Sequence, residues 1–280
     1  MQISVVIPSY NRLQTLITAI ESVRSQSSAV DEIIVVDDGS TDNTAGEISR
    51  RFAQVKLIRQ SNRGVSAARN AGIKQASFDW IALLDSDDSW LPGKIASIRQ
   101  AKYRHPEHLL FHSDEIWVRR GTRINAMKKH AKSGGWIFEN CLPLCVISPS
   151  AVVFHRSLVE SYGYFDETLP ACEDYDLWLR ICHQVPVCYI DKPLITKYGG
   201  HEDQLSVRYW GMDRYRIRSL YRLLQQDILS DHYRQAAILT MVAKLDILLK
   251  GARKHGNREV IDEFEPILEK TRHANLAETT

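Results

Sequence analysis

Near residue 80 the chain reads DWIALLDSDDSW. An apolar run, Trp80 to Leu84, ends in Asp85, Ser86, Asp87 and Asp88, so three carboxylates fall within four residues. Like charges so close repel one another. Two things make the cluster tolerable: a helix end that the aspartates cap, or a bound cation. Hard divalent ions such as Mg²⁺ or Mn²⁺ take oxygen ligands from one or two carboxylates and keep positions for phosphate and water. An EF-hand loop is excluded, because Trp90 stands where that loop needs glycine and Ala96 where it needs glutamate. A second acidic group lies in CEDYDLWLR, with Glu173, Asp174, Asp176 and Arg180 on a segment whose Tyr175, Leu177, Trp178 and Ile181 predict an amphipathic helix. Such carboxylates suit a general base, or an ordinary acidic first turn.

Positioning these residues requires a scaffold. ISVVIP (Ile3 to Pro8) and EIIVVDD (Glu32 to Asp38) read as strands buried on both faces. Val55 to Arg59 and the IALLD run add two more strands. Leu13, Leu16, Ile17, Ile20 and Val23 recur at helical spacing. Helices are also predicted after Thr41, capped by Ser40, Thr41 or Asp42, over Gly64 to Ala76, and after Pro92. This alternation predicts an α/β fold: a mostly parallel central sheet flanked by helices, Rossmann-like. Ligands bind at the carboxyl ends of such strands, where Pro8 to Arg12, Asp37 to Ser40 and the Asp85 cluster would share one rim.

VVIPSYNR, VVDDGSTDNT, NRGVSAARNAGI, LLDSDDSW and FDETLPACEDYDLWLR occur in this order. Together they resemble the family 2 glycosyltransferases with the GT-A (nucleotide-diphospho-sugar transferase) fold, over roughly Ile3 to Ser206. The resemblance implies a metal-dependent, inverting transfer from a UDP- or dTDP-sugar to an acceptor hydroxyl, in cell-surface glycan or polysaccharide biosynthesis. It implies that Pro8, Ser9, Tyr10 and Arg12 line the nucleotide pocket. Asp37 or Asp38 would accept from the uracil N–H, with Asp37 favoured, and Asn62, Gly64 and Arg69 would sit near ribose and phosphates. Asp85 and Asp87 become the Asp-x-Asp pair on Mn²⁺ or Mg²⁺, with Asp87 the direct ligand. Asp174 becomes the base, with Glu173 beside it as an acceptor contact. His201, in KYGGHEDQLS, becomes a third ligand or a diphosphate donor; a surface histidine in a glycine-rich loop is the other reading. Gln204, Ser206 and Arg208 would order that loop. The Gln-x-x-Arg-Trp signature of processive synthases is missing, which implies transfer of one or a few sugars per encounter.

The expected division is a catalytic domain over 1–206, with a nucleotide and metal half (1–108) and an acceptor half (109–206), and a helical appendage over 207–280. Trp117, Trp136 and Trp178 are candidate sugar platforms, while Trp80 and Trp90 read as core. Lys128, Lys129, His130 and Lys132 form a basic loop, either a substrate lid or a solvated tip. Between Arg208 and Arg222 five arginines interleave with Tyr215, Leu220, Leu223 and Leu224. That pattern packs on the catalytic domain, or lays a basic face on an anionic membrane near a lipid-linked acceptor. The net charge of +2 predicts no nucleic-acid partner. No apolar run reaches membrane-spanning length, and the opening MQISVVIPSY reads as no signal peptide. The five cysteines match no zinc spacing and read as reduced thiols of a cytoplasmic protein, peripheral at the inner membrane face in the second reading. A nucleotidyltransferase would need a glycine-rich basic first loop that PSYNRLQ lacks. A catalytically silent nucleotide-sugar sensor remains as an alternative.

Overall fold

The computed structural model describes residues 1–124, 131–200 and 209–277, with side chains to 272. Its sheet has nine strands: β1 Ile3–Ser9, β2 Glu32–Asp37, β3 Lys56–Arg59, β4 Trp80–Leu83, β5 Ser89–Trp90, β6 Leu110–Arg119, β7 Thr122–Ile124, β8 Val153–His155 and β9 Cys188–Gly199. They run in the order β3-β2-β1-β4-β8-β6-β9-β5, with β7 on β6. The first four are parallel, while β8 is antiparallel to both neighbours. The four parallel strands are those expected at Ile3 to Pro8, Glu32 to Asp38, Val55 to Arg59 and the IALLD run. The mixed half includes β9, which sequence reading left unassigned because Asp191, Lys192 and Pro193 interrupt its apolar pattern.

Alternation along β1 and β2 explains why both faces are covered. Val6, Ile34 and Val36 face one core, and Val5, Ile7, Ile33 and Val35 the other. The second core is closed by helices α1 (Leu13–Arg24), α2 (Thr44–Arg51) and α4 (Lys94–Arg104). The N-cap of α2 is Asn43, in a left-handed backbone (φ 60°), and not Ser40, Thr41 or Asp42; Asp42 Oδ1 still accepts from the Thr44 amide at 3.2 Å. Helix α4 starts two residues after Pro92, not on it. The first core receives α3 (Val65–Gln75), α5 (Phe138–Cys141), α6 (Ser157–Tyr162) and α7 (Glu173–Cys182). The C-terminal helices α8 (Asp213–Gln225), α9 (Asp231–Lys254) and α10 (Arg258–Ala277) extend this same core, through Leu220, Ile238, Leu245 and Phe264. Thus the predicted helical end packs on the sheet domain; the expected boundary at 206 lies outside the described residues. Among the described residues no helix is long and apolar enough to cross a membrane.

One charge is buried within the scaffold. Lys94 is fully buried, donates from Nζ to Ala151 O at 2.8 Å and sits 5.3 Å from the Trp90 ring centroid. Burial, helped by the like charge of Lys132 and opposed by Glu115, pushes its ammonium from 10.5 down to about 7. Between those values the unfolded chain binds more protons than the folded one, so stability rises with pH through that window. Lys94→Met should stabilise the fold at pH 7 by on the order of 1 kcal/mol or more, since each tenfold loss of proton affinity on folding costs ~1.4 kcal/mol. It should also flatten the rise between about pH 7 and 10.5. Chemical denaturation across that range tests this, and a variant that keeps the wild-type slope would contradict it.

Candidate active site

Three strand ends and one helix start meet at the carboxyl edge of the parallel strands. Beyond β1, Arg12 Nη1 bonds the Asp87 carboxylate beyond β4. From α3, Arg69 donates through Nη2 to Asp85 Oδ1 at 2.7 Å and through Nη1 to Glu173 Oε1 at 2.6 Å. One guanidinium thus ties the Asp-x-Asp turn to the first turn of α7. Cys172, just before α7, holds a left-handed backbone (φ 62°) that turns the chain into this contact. Asp174 is half-buried, and its Oδ1 accepts from the Tyr175 amide at 2.7 Å.

Lys197 on β9 enters the same cluster, and sequence reading missed it. Burial opposes its charge, but the carboxylates of Asp88, Glu115, Asp85 and Asp174 outweigh that and raise its ammonium above the ordinary range. Beside it, the buried pair Lys132–Glu115 closes at 2.9 Å. Arg69 likewise stays charged against burial, held by Asp85 and Glu173. The two acids respond differently. For Asp85, burial is outweighed by Arg69 and the carboxyl is lowered. Glu173 lies deeper, and burial with the charge of Asp174 raises it despite Arg69. Asp88 accepts from Ser150 Oγ at 2.6 Å and from the Tyr198 amide at 3.1 Å. Its burial, with Asp87 and Asp85 adding and Lys197 opposing, pushes it up to about 7.

Asp85, Asp87, Asp88, Glu115, Glu173 and Asp174 therefore surround Arg12, Arg69, Lys132 and Lys197. The donors of the Asp-x-Asp turn are hard carboxylate oxygens, the kind such ions take. The cluster fits Mn²⁺ or Mg²⁺, with Asp87 and Asp85 as the holding residues. Among the described residues, three ligand atoms already converge at His105, Glu107 and His108 instead. That exposed group precedes β6, at the opposite edge of the sheet.

The nucleotide side is built by loops. Asp38 accepts from Gln60 Nε2 at 2.7 Å and from the Arg63 and Gly64 amides at 2.9 and 2.8 Å, fixing the turn into α3. Gly64 has φ +90° there. Gly39 is required next to it: its φ is +83°, and a Cβ would lie 2.8 Å from the Asn62 nitrogen. Asp37 is fully buried; Oδ1 accepts from the Ser40 amide at 2.9 Å, while Oδ2 has no hydrogen-bond partner, like the hydroxyls of Ser9 and Ser66. Arg59 Nε faces Asp37 Oδ2 at 3.7 Å, and Tyr10 is exposed just beyond β1.

Several expectations are corrected. Arg69 is buried between two carboxylates, so it organises the acids and is not an open phosphate contact. Glu173 is buried on Arg69 and cannot touch an acceptor. Trp178 is core, with Nε1 donating to Ile147 O at 2.8 Å. Its spacing from Tyr175 and Ile181 already placed it on the apolar stripe of α7. Trp117 donates to Glu115 at 2.9 Å and carries Lys197 over its ring, whereas Trp136 is 60% exposed. Lys132 belongs to the buried pair and not to a loop tip. His201, Gln204, Ser206, Arg208, Lys128, Lys129 and His130 lie outside the described residues.

Comparison with known proteins gives the family and the fold. The model of Glycosyl transferase family 2 matches residues 4–159. The chain is 32% identical over 184 residues to the Escherichia coli UDP-Glc:alpha-D-GlcNAc-diphosphoundecaprenol beta-1,3-glucosyltransferase WfaP, covering 64% of this chain and 69% of that protein. For the E. coli enzyme of the same description, WfgD, the values are 27% over 256 residues, 90% and 94%. An uncharacterized glycosyltransferase of Rickettsia felis is 33% identical over 201 residues, and the chain spans only 32% of its length. In fold, the chain resembles S. aureus TarS 1-349 in complex with UDP-GlcNAc: TM-score 0.69, 18% identity, 88% of this chain and 72% of that one.

Proposed function

The chain belongs to glycosyl transferase family 2, and on that premise we propose that it moves a hexose from UDP to a hydroxyl of a lipid-diphosphate-linked glycan, with inversion at the anomeric carbon. What supports the reading is that Arg12 pairs with Asp87 while Arg69 pairs with Asp85 and with Glu173, the neighbour of Asp174, at the carboxyl end of the parallel strands. Residues 1–206 form the catalytic part and 207–280 its helical extension. Uracil N–H donates to Asp37, whose Oδ2 faces Arg59 at 3.7 Å but accepts no hydrogen bond and suits a pure donor; Ser9, Tyr10, Asn62 and the backbone at Gly64 line the remainder of the nucleotide. Asp174 takes the acceptor proton as the new C–O bond forms and the bond to diphosphate breaks. Asp87 and Asp85 would hold Mn²⁺ or Mg²⁺, which would supply positive charge for the diphosphate. Trp136 offers an open ring face for the acceptor sugar. The donor and acceptor classes follow the printed activities of the two E. coli relatives.

Calorimetry with UDP, with and without Mn²⁺, tests the ion assignment. Wild type should gain about tenfold in affinity with the metal, roughly 1.4 kcal/mol. Asp87→Ala should lose that gain and keep its metal-free affinity. An unchanged response to Mn²⁺ in the variant would refute the role of Asp87. Transfer from UDP-glucose, UDP-GlcNAc and dTDP-glucose then identifies the donor.

A further inference from the structure

Between α8 and α9 runs a groove of about 520 Å³, within the range of ligand clefts. Trp210, Met212, Arg216, Ile247, Leu248 and Gly251 are among its walls. Trp210 is 55% exposed and Ile247 71%, so the mouth is an apolar patch in water. Gly251 is the unusual wall residue. Inside a helix glycine is about 1 kcal/mol less favourable than alanine, yet a Cβ placed there meets nothing within 4 Å. The space over Gly251 is open, so a larger side chain introduced there would enter the groove. Lys250 and Lys254, on the last turns of the same helix, are exposed and make no ion pair among the described residues. Deeper in, Arg216 is held by Asp213 at 2.9 Å through Nη1, while its buried Nε has no partner. This inner end lies against the start of α7, with the Arg216 guanidinium 5.9 Å from the Tyr175 ring centroid. Met212 O accepts a weak bond from Cys172 Sγ at 3.7 Å, and Cys172 immediately precedes Glu173 and Asp174.

We propose that this groove binds the apolar chain of a polyprenyl diphosphate acceptor, with the diphosphate toward Arg216 and the glycan reaching Asp174. Exposed Trp210 and Ile247 at the mouth would meet the tail, and Arg216, 5.9 Å from the ring of Tyr175 next to Asp174, would meet the diphosphate. The proposal rests on the acceptor class given above and adds where its lipid is held.

The test is calorimetric titration of the full chain with geranylgeranyl diphosphate below its micelle concentration, in saturating UDP and Mn²⁺ so that the donor site is filled. Wild type should bind it, and should bind inorganic diphosphate or geranylgeraniol at least about tenfold more weakly. Gly251→Phe fills the groove from the helix side. It should lose at least about tenfold in affinity with no fall in melting temperature and no change in UDP binding, while Gly251→Ala stays near wild type. Equal binding of geranylgeranyl diphosphate by Gly251→Phe and wild type overturns the proposal, and so does equal binding of inorganic diphosphate. Anionic phospholipid vesicles that bind the Phe variant as well as wild type, and as tightly as the isoprenoid, would assign this face to a membrane surface instead. Transfer assays separate the two readings. Groove binding without transfer to any lipid-diphosphate glycan overturns the acceptor class alone. Transfer to such a glycan that Gly251→Phe leaves unchanged overturns the groove alone.

Discussion

Asp174→Asn should lower transfer by about 10²–10⁴-fold, the range for loss of a general base, while UDP affinity stays within about a factor of two, or ~0.4 kcal/mol. The substitution is nearly isosteric. The amide oxygen of the introduced asparagine can still accept from the Tyr175 amide, as Asp174 does at 2.7 Å, so the start of α7 should survive. What is lost is a site for the acceptor proton. The Asp-x-Asp turn reaches α7 through Arg69 and Glu173, not through Asp174, so donor binding is insulated from the change. Single-turnover transfer together with UDP calorimetry gives both numbers. Transfer within tenfold of wild type would remove Asp174 as the base. Loss of UDP binding in parallel would make it a structural residue.

The parallel half of the sheet was legible because its signals are local. Continuous β-branched runs at Ile3 to Pro8 and Glu32 to Asp38 mark strands covered on both faces, and the carboxyl-end rule then places Arg12, Asp37 and Asp87 on one edge. The ion pairs that organise the acids were not legible. Arg69 and Glu173 are 104 residues apart, and contacts of that span leave no period in a sequence. Read as a motif member, Arg69 belongs to phosphate; only the fold shows its guanidinium occupied. Lys197 stayed hidden for a related reason. Pro193 breaks the pattern of β9 and coincides with a register shift against Asp114, so the strand that carries the lysine into the cluster does not look like one. Trp178 is a different case. Its helical spacing from Tyr175 and Ile181 marks it as core.

Arg69→Met should destabilise the fold by about 3–5 kcal/mol, the usual effect of removing one partner from a buried ion pair. Arg69 is 3% exposed, stacks 5.2 Å from the Phe165 ring centroid and serves two carboxylates. Methionine retains much of the packing on Phe165, so the loss isolates the electrostatics. Without the guanidinium, Asp85 and Glu173 remain beside Asp174 and Asp87 with their main counter-charge removed, and both carboxyls must move upward. The folded variant then binds more protons than its unfolded chain at neutral pH, so its stability falls as pH rises and recovers toward pH 5. Wild type holds Asp85 below its ordinary range and should show the opposite contribution from that residue. Arg69→Lys keeps a charge but not the fork that reaches both acids, and should recover only part of the loss. Adding Glu173→Gln to Arg69→Met should restore stability, because one of the two stranded charges is gone. Urea denaturation of these variants at pH 5 and pH 8 provides the comparison. A loss below about 1 kcal/mol, the level of an exposed pair, or one identical at both pH values, would mean that the guanidinium is not what holds the two acidic segments together.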